Sequence, residues 1–263
     1  MSARRPATAD KSFSLAEERR RLEAVAQWYD SGSGLGRQLV RSAAARILAR
    51  AGGRRALELG CANGLMTREL VKRFSHLDVV EGAESYAEQA RSLVPSEGEV
   101  YHCLFEEFEP SSRYDVIVMA WVLEHVADPR ALLARAGGWL CPEGTMHIVV
   151  PNAGSLHRRA GLKMGMLDRL DELNESDLAI GHRRVYTWER LGDDIAAAGL
   201  HLVEMEGILL KPLPNAMVES WHQELRAAFF ELAALAPRLC SEIYAVCRHP
   251  GNGDSTDSAD GLR

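Results

Sequence analysis

Apolar positions along the chain recur at two periods. Residues 14–30, SLAEERRRLEAVAQWYD, open on a Ser cap with Glu in the first turn and set Leu22, Val25, Ala26 and Tyr29 along one face, which predicts a helix. SGSGLG at 31–36 breaks it, and LVRSAAARILARAGG predicts a second helix closing on Gly52 and Gly53. Short apolar runs then alternate with amphipathic ones. ALEL precedes LMTREL, VVE precedes SYAEQARSLV, and EVYHCLFEEF reads as a third strand with its exit loop. YDVIVMA, residues 114–120, is near-continuously apolar, as for a strand buried on both faces, and Pro129 starts the next helix. A fifth strand ends at Pro151 and Asn152. TWERLGDDIAAAGL and HLVEMEGILL give another helix and a sixth strand, a long helix is expected over 216–236, and CSEIYAVCR closes the chain as a last strand. Such alternation predicts an α/β architecture with a mostly parallel sheet.

The stretch with the most local information is ALELGCANG followed by LMTREL. An apolar strand ends at Gly60, Gly64 follows, and a helix starts at once, so this turn should face the ligand end of an open sheet. A dinucleotide fingerprint begun at Gly60 needs glycines where Ala62 and Leu65 stand, which argues against a nicotinamide oxidoreductase. Glu81 closes the second strand about 20 residues later, where a carboxylate can accept from two ribose hydroxyls.

Glu58 within the strand end, the Gly60/Gly64 pair spaced as GxxxG, and Glu81 resemble motif I and the ribose-binding acid of the class I S-adenosylmethionine-dependent methyltransferases. The segment WVLEHVADP is similar to the fourth-strand exit of that family. The resemblance implies a Rossmann-like, seven-stranded, mostly parallel sheet with helices on both faces and an antiparallel final hairpin. It also implies an N-terminal helical cap over 14–50 and a lid insertion after strand 5, residues 155–186. S-adenosylmethionine is the implied cofactor. Glu58, Gly60, Cys61, Asn63 and Gly64 would hold it in the turn, and Glu81 with Gly82 at the ribose. Leu104 and Phe105 would hold it at the adenine, where the family's usual Asp is missing, and Met119 with Ala120 beside the fourth strand. WYD at 28–30 looks like the element that folds over the cofactor, with Tyr29 touching it and orienting the acceptor; the bland alternative is that Trp28 and Tyr29 only pack the helix.

The implied reaction is methyl transfer to an N, O or S nucleophile. His125 is the base candidate, set against a structural role for a lone His in a turn. Trp121, His125 and Asn152 are expected to face the acceptor. Within the lid, most charges are read as a solvated face. GHRRVY is the exception: His182, Arg183, Arg184 and Tyr186 form a forked donor suited to a carboxylate or phosphate of the acceptor. Rival readings are a methyltransferase acting on protein or RNA and a non-catalytic module that binds the cofactor for regulation.

Composition narrows this modestly. The 263 residues, 46% hydrophobic and 26% charged, suit one globular domain, placed at 14–249. A net charge of −6 argues against general nucleic-acid binding and favours a small-molecule partner, and leaves room for a homodimer. The five cysteines show no CxxC and read as reduced thiols in a cytoplasmic protein; no metal ligand set is expected. No apolar run reaches membrane length, residues 1–13 read as a flexible start, and 250–263 as a disordered tail.

Overall fold

The computed structural model describes residues 14–29 and 34–251. Asp30 of the WYD element, and the expectations for residues 1–13 and for 252 onward, lie outside the described residues. Helices α1 (Leu15–Ala26) and α2 (Gly34–Arg50) lead into β1 (Arg55–Leu59), α3 (Leu65–Leu70), β2 (His76–Glu81), α4 (Glu84–Arg91) and β3 (Val100–His102). Then come β4 (Tyr114–Ala120), α5 (Pro129–Gly138), β5 (Leu140–Pro151), α6 (Leu156–Lys163), α7 (Glu175–Ala179) and α8 (Trp188–Ala197). Strand β6 (His201–Ile208), helices α9 (Asn215–Glu219) and α10 (Gln223–Glu231), and β7 (Glu242–Arg248) complete the order.

The seven strands make one sheet in the order β3-β2-β1-β4-β5-β7-β6. The first five are mutually parallel, and β7 enters antiparallel between β5 and β6, as the resemblance implies. The chain runs outward from β1 to β3 and then returns to β4. The strand order therefore reverses between β1 and β4, and a crevice opens beyond their carboxyl ends. Burial explains the apolar run of β4: Val116 and Val118 pack with Leu35, Leu39 and Ile47 of α2 on one face. Ile117 and Met119 pack with Leu132 and Leu133 of α5 and with Leu191 and Ile195 of α8 on the other.

One element departs from expectation. The continuous helix over 216–236 is broken into α9, α10 and two 3-10 turns, Leu232–Leu235 and Pro237–Leu239. Glu219, at the end of α9, turns its carboxylate to the Leu35 amide at the start of α2, 3.1 Å away. The Ser220 hydroxyl closes the turn on the Met217 carbonyl at 2.7 Å, and Trp221 folds onto Phe229. A tertiary contact with α2 thus overrides a helical pattern.

The lid is not all solvated face. Arg158 is buried, and its guanidinium joins α6 to the rest of the insertion. It donates to the Leu170 carbonyl at 2.9 Å, to the Glu172 carbonyl, and to Asp177 Oδ2 at 3.2 Å. Among the described residues, no helix is long and apolar enough to cross a membrane.

Candidate active site

The turn after β1 is built on backbone that only glycine takes easily. Gly60 and Gly64 have φ of +74° and +75°. A Cβ on Gly64 would lie 2.5 Å from Leu93 Cδ1, and one on Gly60 3.1 Å from Val122 Cγ2. Glu81, the last residue of β2, clamps this turn. Its Oε2 accepts from the Cys61 and Ala62 amides at 3.0 and 3.2 Å, and its Oε1 from Ala83 at 2.9 Å. Burial pushes the carboxyl pKa up, and the three amides pull it back toward the charged form. The neighbouring Cys61 thiol is pushed up by burial and by Glu81, so it is not a ready nucleophile.

The turn opens onto a cavity of about 580 Å³ beyond the carboxyl ends of β1, β2 and β4. Of the expected cofactor residues, Tyr29, Gly60, Cys61, Asn63, Glu81 and Gly82 line it, as do Leu104, Phe105 and Ala120. Glu58, Gly64 and Met119 do not. Glu58 and Met119 are buried inside the sheet layers, and Gly64 is turned against Leu93. Glu58 acts from behind the turn: its Oε2 accepts the Thr67 hydroxyl at 2.7 Å, and burial pushes its pKa up to about 8. Helix α1 roofs the cavity, and the Tyr86 hydroxyl fixes its end by donating to the Tyr29 carbonyl at 2.9 Å.

The far wall follows β4. Trp121 has a left-handed φ of 58° and donates its indole N–H to Glu242 Oε2 at 3.0 Å. His125 lies edge-on to His182, ring centroids 4.7 Å apart. Burial, then His182, Arg21 and Arg183, push its pKa down to about 3, so its ring is a neutral, weakly basic imidazole rather than a strong proton acceptor. Asn152 reaches the cavity, but its amide is held by the chain. It donates to the Arg238 and Cys240 carbonyls at 3.0 and 2.7 Å and accepts from Gly154 at 2.8 Å.

The forked donor expected in GHRRVY is not offered to the cavity. Arg183 donates to the His125 carbonyl at 2.8 Å and to Glu18 Oε2 at 2.9 Å. Arg184 donates to the Leu123 and Val126 carbonyls at 2.6 Å each and to Ala127 at 3.1 Å. Both guanidiniums staple the turn after β4, and Tyr186 is fully buried outside the cavity. Of the four polar members of the cluster, His182 alone lines it.

Sequence reasoning left several lining residues without a role. Glu124 is fully buried and its pKa is pushed up to about 7, chiefly by burial. Glu242 at the start of β7 is raised in the same way. Lys211, after β6, is buried, is pushed down by desolvation, and bonds Asn215 Oδ1. Glu18, Arg21, His157 and Asp177 also face the space. Lys211 carried the one available signal, a cation beside two prolines at a strand exit.

A glycine turn clamped by the acid of the next strand, at the switch point of this sheet, is the site of a class I methyltransferase fold. The chain belongs to the family described as "Methyltransferase domain", which matches it over residues 35–205. Alpha N-terminal protein methyltransferase 1 of Drosophila melanogaster is 36% identical over 85 residues, 29% of this chain and 31% of that protein. The Ubiquinone biosynthesis O-methyltransferase of Parvibaculum lavamentivorans is 28% identical over 165 residues, 61% of this chain and 64% of that protein. The chain thus spans less than two thirds of the length of these curated relatives. Among solved structures, an S-adenosylmethionine dependent methyltransferase from Mesorhizobium loti superposes with a TM-score of 0.60 at 18% identity, covering 80% of this chain and 98% of that one. N-methyltransferase NodS from Bradyrhizobium japonicum, in complex with S-adenosyl-l-homocysteine, gives 0.56 at 17% identity, covering 90% and 98%.

Proposed function

We propose that this chain transfers a methyl group from S-adenosylmethionine to a nucleophilic N, O or S atom of a small molecule. The observation that carries the reading is the continuity of one cavity from the Glu81-clamped glycine turn to the Glu124–His125 wall, so cofactor and acceptor can meet in one space. Its size falls within the range of small-molecule sites, roughly 300–1,000 Å³. The turn suits a sulfonium cofactor: the Gly60 backbone comes to the cavity surface without a side chain, Leu104 with Phe105 supplies an apolar wall, and the ribose is assigned to the Glu81 side of the lining.

Bound S-adenosylmethionine supplies a methyl group on a good leaving group. The protein's part is alignment and exclusion of water. Trp121, fixed by Glu242, and α1, fixed through Tyr86, set the walls. Neutral His125 can orient the acceptor atom. With Arg183 and Arg184 engaged elsewhere, Arg158 bonded within the lid and Arg21 to Glu18, an anionic end of the acceptor is assigned to Lys211, a buried amine on the lining.

The test is a methyl-transfer screen of hydroxylated and amino carboxylic acids against their neutral amides. Lys211→Met is expected to raise KM for the acid by about tenfold, near the 1.4 kcal/mol of a modest charge-assisted contact, and to leave the amide unchanged. Equal effects on both acceptors would remove Lys211 from recognition.

The match to an N-terminal protein methyltransferase gives a second reading, in which the acceptor is a peptide amine. The carboxylates of Glu124 and Glu242 on the lining favour it. Methylation of short peptides, and not of the acids, would select it.

A further inference from the structure

We propose that Glu124, His125 and His182 hold a first-row divalent transition-metal ion at the acceptor end of the cavity. One ligand atom from each of the three lies within 4.8 Å of the others, close enough for small side-chain adjustments to bring them to one ion. Sequence spacing does not suggest this set, because the fold assembles it from two distant segments.

The second observation is Glu124 itself. Its side chain is fully buried, and neither carboxylate oxygen meets a hydrogen-bond donor from another residue among those described. A buried carboxylate left in this state carries a large desolvation penalty that a cation removes. Among the described residues, the Tyr186 hydroxyl is also buried without a hydrogen-bond partner.

The surroundings of the two histidines have the form that metal ligation requires. A ligating imidazole usually gives its other ring nitrogen to a carboxylate or a backbone carbonyl, which fixes ring and tautomer. His182 Nδ1 lies 3.4 Å from Asp177 Oδ1, leaving Nε2 for an ion. The Gly181 backbone, whose own amide is already given to the Leu178 carbonyl, stands beside His125. Asp177 is held in turn by Arg158 at 3.2 Å and by the Asn174 amide at 3.1 Å. A carboxylate thus stands beside His182 and a backbone carbonyl beside His125.

Two imidazoles and one carboxylate make a borderline N,N,O set. It suits zinc, cobalt, manganese or iron(II) better than calcium or magnesium, which take oxygen ligands. Three protein ligands leave a coordination position open, and His125 and His182 line the cavity where an acceptor would supply it. The catalytic use of the ion rests on the methyl-transfer reading above; its binding does not. An acceptor hydroxyl held by the ion loses its proton to water more readily. The O–H bond breaks, the proton leaves with solvent, and the electron pair stays on the oxygen that is to be methylated. The ion would then serve in place of a strongly basic His125.

The experiment uses the full chain stripped with a chelator and titrated with Co2+, read by visible ligand-field absorption and by metal content after dialysis. The expected result is stoichiometric uptake, weakened about tenfold or more in Glu124→Gln and His182→Ala. Asp177→Asn, which touches no ion, should weaken it by roughly 10–100-fold through ring orientation. S-adenosylmethionine affinity, measured in parallel, serves as the folding control for each variant. No stoichiometric uptake, or uptake unchanged in all folded variants, overturns the site. Uptake by a protein that binds no S-adenosylmethionine would leave the metal site standing and remove the methyl-transfer reading instead.

Discussion

Trp121, the first residue after β4, reaches across the cavity mouth to Glu242, the first residue of β7, with its indole nitrogen 3.0 Å from Oε2. The contact joins two strands that are not neighbours in the sheet and holds Trp121 at φ 58°, a conformation that costs a non-glycine residue about 1–3 kcal/mol. Glu242→Ala leaves the half-buried indole donor without its acceptor, so stability should fall by about 1 kcal/mol. Glu242→Gln keeps an acceptor oxygen and should lose less. Urea midpoints of the two variants check this, and equal midpoints would mean that the contact does not hold the turn.

Gly64→Ala meets two obstacles at once, a φ of +75° and Leu93 Cδ1 at 2.5 Å from the new Cβ. Because Gly64 starts α3 from outside the cavity lining, the change should act on the shape of the turn and not by direct occlusion. The expected outcome is a loss of about 1–2 kcal/mol or more in denaturant unfolding together with weaker cofactor binding. Full stability with unaltered binding would show that the turn tolerates a side chain.

Glu58 sets a pH dependence. Its folded pKa, about 8, is raised above the unfolded value of about 4.3. The protonated carboxyl therefore favours the folded state fully below the unfolded pKa, and that advantage is lost as pH rises through the folded one. Relative to Glu58→Gln, the wild-type chain should lose stability between about pH 4 and pH 8 and then level off. Unfolding midpoints measured across that range give the difference curve; a flat curve would place Glu58 at an ordinary pKa.

How much of this was legible from sequence depended on how local each feature is. Strand, Gly60, Gly64 and helix lie within a few residues, and Glu81 closes the adjoining strand, so the turn and the place of Glu81 could be read directly, whereas the bonds of its carboxylate to the amides of the turn appear only in the fold. The broken helix after β6 could not, because Glu219 is recruited by Leu35, far away in the chain. The GHRRVY cluster misled for a similar reason. Its arginines look free in sequence, yet the fold sets Arg184 against the open carbonyls of residues 123, 126 and 127, and Arg183 against the carbonyl of residue 125 and the Glu18 carboxylate. Glu124 was hidden within a segment whose apolar neighbours dominated the pattern, and its proximity to His182 exists only after the lid has folded back.

Calorimetric titration decides whether the turn clamped by Glu81 binds S-adenosylmethionine. The full chain should bind S-adenosylmethionine and S-adenosylhomocysteine and not NAD, with affinity for both sulfur ligands falling about tenfold or more in Glu81→Ala, a loss of at least 1.4 kcal/mol. Binding of NAD alone, or of none of the three by the folded chain, would contradict that role of the turn.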